Sequence, residues 1–149
     1  VSGSPEALAA LHATAFDAPW DAAAFAALLD QPGVQALVRD DGFILIRVVA
    51  DEAEILTLAV RPQARRHGLG LSLVEQAAQT AAEHGAARLF LEVAEDNAAA
   101  RSLYARAGFE TAGRRPRYYA RANGPAVDAL LLSLNLSRPL PSGAGRAYP

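Results

Sequence analysis

Apolar residues recur at two spacings along this chain, and the change between them marks out its elements. From Pro5 to Phe16 they fall at helical intervals (Leu8, Leu11, Ala15), and a second helix is predicted from near Asp21, an N-cap type residue, to Leu29. Gln31-Pro32-Gly33 breaks it. Three strand-like runs follow, Val34–Arg39, Phe43–Val49 and Glu54–Val60. Asp40-Asp41-Gly42 carries an Asp-Gly hairpin signal between the first two, and Asp51-Glu52 turns the second into the third. Short connections make these three antiparallel neighbours.

Beyond Pro62 the pattern shifts. Pro62 to Gly68 reads as a loop, and Leu69 to His84 as a helix with Leu71, Val74, Ala78 and Ala81 on one face. Gly85 stands at a helix C′ position. Arg88–Val93 is a predicted strand, parallel to the third if the crossover is right-handed. Asn97 can cap a helix running through Arg106, with Gly108 ending it. Phe109–Gly113 and Val127–Leu136 are read as two last strands around a loop rich in arginine and tyrosine. Residues 137–149 read as a disordered tail.

At 149 residues and 52% hydrophobic content the chain suffices for one domain with a proper core. The absence of cysteine excludes disulfides, thiolate metal sites and a cysteine acyl-enzyme. No apolar run reaches membrane-spanning length and no signal-peptide pattern opens the chain, so a cytoplasmic protein without a membrane partner is expected. Residues 1–60 carry nine acids against two arginines, and the remainder twelve arginines against seven acids. A basic half suits a polyanionic small ligand. An acidic half suits a basic partner, or is simply a solvated face.

The segment Arg61 to Gly70 joins a strand to a helix and holds the densest chemistry. A helix N-terminus offers unpaired N–H groups, glycines admit a ligand to the backbone, and Arg65 and Arg66 add charge. A bound phosphate or pyrophosphate fits that combination. A Walker loop is excluded, since the chain has no lysine. A dinucleotide fingerprint finds Gly68 and Gly70, but Leu73 stands at its third glycine position and the turn before Gly68 is long. A glycine-flexible loop with no ligand stays open on this segment alone. His12, His67 and His84 are too scattered to indicate a metal site, and no serine-hydrolase elbow exists.

Arg65-x-x-Gly68-x-Gly70 after a strand resembles the acetyl-CoA signature of the GNAT N-acetyltransferase superfamily. Asn97-Ala-Ala-Ala-Arg-Ser-Leu-Tyr104-Ala-Arg-Ala-Gly108-Phe109-Glu110, at the expected separation, is similar to its second signature. Leu91-Glu92-Val93, the Pro19-Trp20 segment and Arg114-Arg115 with Tyr118-Tyr119 resemble the RimI-type ribosomal-protein N-terminal alanine acetyltransferases. The first signature residue is Arg65 where that family often has glutamine, and the stretch from Arg115 to Pro125 is less regular.

The resemblance implies one α/β (α+β) domain over residues 1–136, a mixed, mostly antiparallel sheet of six to seven strands flanked by about four helices. It implies direct acetyl transfer from acetyl-CoA to an amine in a ternary complex, with no resident metal or nucleic-acid partner. Glu92 matches the family's general base and Tyr104 its general acid. Arg65, Arg66, His67, Gly68, Leu69, Gly70 and Leu71 are expected at the pyrophosphate, Leu58, Ala59 and Val60 along the pantetheine as an added strand, and Asn97 beside it. Trp20, Tyr118 and Tyr119 are candidates for the acceptor groove. The implied acceptor is a basic protein N-terminus. A small-molecule amine, or a module that binds a nucleotide without turnover, are the alternatives.

Overall fold

Ser4 accepts the Ala7 N–H at 3.1 Å and Pro5 sets the first turn, so helix α1 (Pro5–Ala15) starts where the sequence places it. A computed structural model describes residues 3–136. After α1 come α2 (Ala22–Leu29), capped by the Asp21 carboxylate, and the strands β1 (Val34–Arg39), β2 (Gly42–Val49) and β3 (Glu52–Val60). A 3-10 turn at Pro62–Ala64 leads into α3 (Leu69–Glu83), followed by β4 (Arg88–Ala94), α4 (Ala98–Arg106), β5 (Glu110–Tyr119) and β6 (Val127–Asn135). The expected tail, residues 137–149, lies outside the described residues.

One six-stranded sheet runs in the order β1-β2-β3-β4-β6-β5, antiparallel except for the β3–β4 pair. Helices α3 and α4 cover one face, where Leu73, Val74 and Ala77 pack on Ile44, Ile46, Leu91 and Val93. Helices α1 and α2 cover the other, with Leu8, Leu11 and Phe25 against Phe43 and Leu45. Strand β2 is therefore buried on both sides from Phe43 to Ile46.

Four local expectations are corrected. The first hairpin turns on Asp40 and Asp41, and Gly42 is already paired with Arg39. That glycine serves proximity: a Cβ there would lie 2.8 Å from the Ala59 carbonyl oxygen and 3.3 Å from Leu69 and Leu73 methyls. The next turn is Ala50–Asp51, with Ala50 at φ 55°. The buried stripe of α3 is Leu73, Val74, Ala77 and Ala81, rotated from the predicted face because Leu71 and Ala78 are only partly covered.

The first part of the arginine- and tyrosine-rich stretch, Arg114–Tyr119, is not loop but more than half of β5, and residues 120–126 form the expected connection to β6. Its charge and its proline disguise it, yet β5 is an edge strand, where exposed residues and Pro116 are tolerated. The register slips between Arg115 and Tyr119, and Arg117 sits at φ 51° with its N–H donated to the Asp128 carboxylate at 2.9 Å.

Candidate active site

The site begins with a fault in the sheet. Strand β3 pairs with β4 at three positions only, Glu52 to Arg88, Ala53 to Leu89 and Glu54 to Phe90. Just beyond, its register against β2 slips: Ile46 faces Ile55 but Leu45 faces Thr57, which leaves Leu56 supernumerary. Such a bulge bends a strand and increases its twist. The side chains record it, since Ile55 and Leu58 pack in the α3–α4 layer while Leu56 and Ala59 pack in the α1–α2 layer. Past the bulge β3 and β4 part, and residues 56–60 keep an edge unpaired by β4.

A cleft of about 570 Å³ opens beside that edge. Leu58 and Val60 line it from β3, and Arg65, Arg66, Gly68, Leu69, Gly70 and Leu71 line it from the loop and the start of α3. Ala59 is buried toward α1 and α2, and His67 is exposed outside the lining. Gly68 caps α3 at φ 84° with no side-chain cap, so the first N–H groups of the helix are left for a ligand. Nothing lies within 4 Å of where its Cβ would be. Arg66 is also left-handed, at φ 67°. The Arg65 Nε donates to the Val60 carbonyl at 3.2 Å and ties the loop to the strand end.

Helix α4 supplies the opposite wall. Asn97 lines the cleft, and its Oδ1 accepts the Ala100 N–H at 3.1 Å as an N-cap. Ala99, Ala100, Leu103 and Arg106 line it too, and were not singled out from the sequence. Their signal was available: they share one face of the helix that Asn97 opens. A Cβ on Gly70 would lie 3.4 Å from Leu103, so α3 and α4 meet closely under the cleft. Ala15 and Phe16, at the end of α1, complete the lining.

Neither Glu92 nor Tyr104 is among the residues lining this cleft, though Tyr104 directly follows the lining residue Leu103 on α4. Glu92 lies two residues past the last β3–β4 pair, and strand alternation points it away from the buried Leu91 and Val93. Its carboxylate pairs with the Arg115 Nε at 2.7 Å. Tyr104 belongs to the α3–α4 layer on the other face, edge-on to Phe109 at 5.5 Å. Burial pushes its phenol up to about 12, so it is a neutral donor at physiological pH. The two groups thus lie on opposite faces of the sheet, Glu92 just past the point where β3 and β4 part.

Of the three aromatic candidates, two come together. Tyr118 and Tyr119 meet edge-on at 5.1 Å, with Arg115 over the first ring at 5.3 Å and Arg121 over the second at 5.8 Å. Partial burial, then the Glu92 charge, raise the Tyr119 pKa. Trp20 stands apart, its ring against His12 at 5.1 Å and Phe25 at 5.6 Å. His12, given no role from the sequence, is buried and bonded on both ring nitrogens. Among the described residues no group of three His, Asp or Glu side chains could hold a metal ion.

Residues 6–109 match the family model described as the Acetyltransferase (GNAT) family. The [Ribosomal protein bS18]-alanine N-acetyltransferase of Escherichia coli K12 is 35% identical over 80% of this chain and 82% of its own. The protein of the same name from Salmonella typhimurium is 39% identical over 68% of this chain and 70% of its own. The solved structure of the ribosomal-protein-S18-alanine N-acetyltransferase from Escherichia coli superposes with a TM-score of 0.82 at 30% identity, covering 95% of this chain and 94% of that one.

Proposed function

The chain belongs to the Acetyltransferase (GNAT) family and is an acetyl-CoA-dependent N-acetyltransferase, and from there we propose that its acceptor is the α-amine of a protein N-terminus. The acceptor reading rests on the 35% identity to the alanine N-acetyltransferase of Escherichia coli K12, and the observation that carries the acetyl-CoA chemistry is the parting of β3 from β4 in front of an uncapped helix N-terminus. Tested against that geometry, the residues present fit coenzyme A. The open β3 edge suits an amide-bearing arm, and the N–H groups at Gly68–Leu71 with Arg65 and Arg66 suit a pyrophosphate.

When bound, acetyl-CoA supplies a thioester open to direct attack by an amine. A protein α-amine has a pKa near ~8, so part of it must lose a proton at neutral pH. We assign that proton to Glu92, directly or through one water. Arg115 has to yield the carboxylate, and at 63% exposure its pairing is held only by screened attraction. Tyr104 holds the proton for the departing sulfur, and a β3 N–H polarises the thioester carbonyl.

An N-terminal alanine of a ribosomal protein is the proposed acceptor class, in line with the names of the two relatives. Asp17 within the Phe16–Trp20 segment and Asp21 just after it, both exposed, give a basic peptide a favourable field. The test is acetyl-CoA turnover on an Ala-starting peptide beside polyamines and aminoglycosides. Turnover confined to the peptide is expected. Turnover on the small amines alone would overturn the acceptor.

A further inference from the structure

His12 has no part in the roles above, yet it joins three pieces of the molecule. Its ring is 2% exposed. Nδ1 accepts the Trp20 backbone N–H at 3.1 Å, so the proton sits on Nε2, which donates to the Thr57 hydroxyl at 3.1 Å. The ring lies flat on Phe16, with centroids 4.1 Å apart and planes 16° from parallel, and stacks on Trp20 at 5.1 Å. Helix α1, the connection from Phe16 to Asp21, and β3 just beyond its bulge all meet here.

One of the residues it touches lines the cleft, and another adjoins a residue that does. Phe16 lines it while 41% exposed, and a half-exposed aromatic left to itself exchanges rotamers. Thr57 is buried directly before Leu58, which lines the cleft from the other side. A phenylalanine at position 12 would fill the same space against the same aromatic neighbours, so packing alone does not call for an imidazole. What the imidazole adds is direction: two buried polar side chains that satisfy each other admit one arrangement.

We propose that His12 is a positioning residue, bracing the Phe16–Trp20 wall against the Thr57–Leu58 segment so that the incoming amine meets the thioester in one geometry. The inference rests on the acceptor reading above. Phe16 and Leu58 are then the two sides between which the acceptor approaches, and His12 sets their separation without touching either substrate. Misplacement at that scale acts more on acceptor use than on coenzyme binding: Leu58 also lines the cleft fitted to the coenzyme's arm, but the α3 N-terminus that suits the pyrophosphate is untouched.

His12→Phe, Thr57→Val and His12→Gln test this in the full chain, the glutamine amide offering both a donor and an acceptor. Wild type and variants are compared by acceptor KM, CoA Kd and acrylamide quenching of Trp20, the sole tryptophan. His12→Phe and Thr57→Val are expected to raise the acceptor KM about tenfold while CoA Kd changes by about threefold or less, and His12→Gln to recover most of it. Quenching of Trp20 should rise in the first two and return in the third. If His12→Phe fails to fold, Thr57→Val removes the same bond from the other side and carries the comparison. An unchanged acceptor KM, CoA Kd moving in step with it, or Trp20 equally shielded throughout overturns the brace. A wild type inactive on every peptide ends the acceptor reading instead, and the quenching comparison then decides the brace by itself.

Discussion

Acid should destabilise this fold through one side chain, and the size of the effect follows from its burial. His12 has its pKa lowered from 6.5 to about 4 because the ring is shut away from water. The unfolded chain therefore takes up a proton at this position as pH falls below 6.5, while the folded chain resists until about 4. Stability associated with the neutral ring is whole above 6.5 and is lost as pH falls toward 4. At about 1.4 kcal/mol per pH unit the full loss is roughly 3 kcal/mol, of which about 2.5 kcal/mol falls between pH 7.5 and 4.5. Carboxylates titrate over part of the same range, so wild type alone would mix their effect with this one. Urea unfolding of wild type and His12→Phe at both pH values cancels the shared part. The stability difference between the two proteins should shift against wild type by about 2.5 kcal/mol on acidification. A difference constant to within about 0.5 kcal/mol would refute the argument, since the ring would then titrate alike in both states.

Other outcomes follow from the same geometry. Glu92→Gln and Tyr104→Phe should each lower kcat about 100-fold or more while CoA Kd by calorimetry stays as in wild type. With its phenol at about 12, Tyr104 should impose no alkaline limb on kcat; a limb below about pH 9.5 that vanishes in Tyr104→Phe would contradict its burial. Gly42→Ala drives a Cβ to 2.8 Å from the Ala59 carbonyl, and should cost about 1–3 kcal/mol in urea unfolding. Deleting Leu56 removes the supernumerary residue while leaving the other β3 side chains on their present faces. The protein should still fold, by circular dichroism, but bind CoA far more weakly; wild-type affinity would show that the bulge does not open the cleft.

What could be read from the sequence was what local spacing encodes. Arg65, Gly68 and Gly70 after a strand, and Asn97 before a helix, are contiguous signals, and their residues line one cleft. The opening itself was not legible, because a slip of one residue between β2 and β3 is a matter of pairing and leaves no mark in either strand alone. Strand β5 was hidden for the opposite reason: at the sheet edge nothing requires alternation, so Arg114 to Tyr119 looks like a loop. His12 left a clue that passed unused. It shares the buried face of α1 with Leu8 and Leu11, where an unpartnered polar ring would be costly.

The outer rim formed by β5 has a further bearing on how the molecule lives among other polypeptides. A sheet margin normally invites a foreign strand, and two copies can zip together along it. Here Pro116 has no N–H to offer, Arg117 has already given its own to Asp128, and the register slips between Arg115 and Tyr119. Uninvited strands are turned away at this margin, while an extended chain that seeks backbone partners is offered them in the middle of the sheet, where β3 and β4 separate.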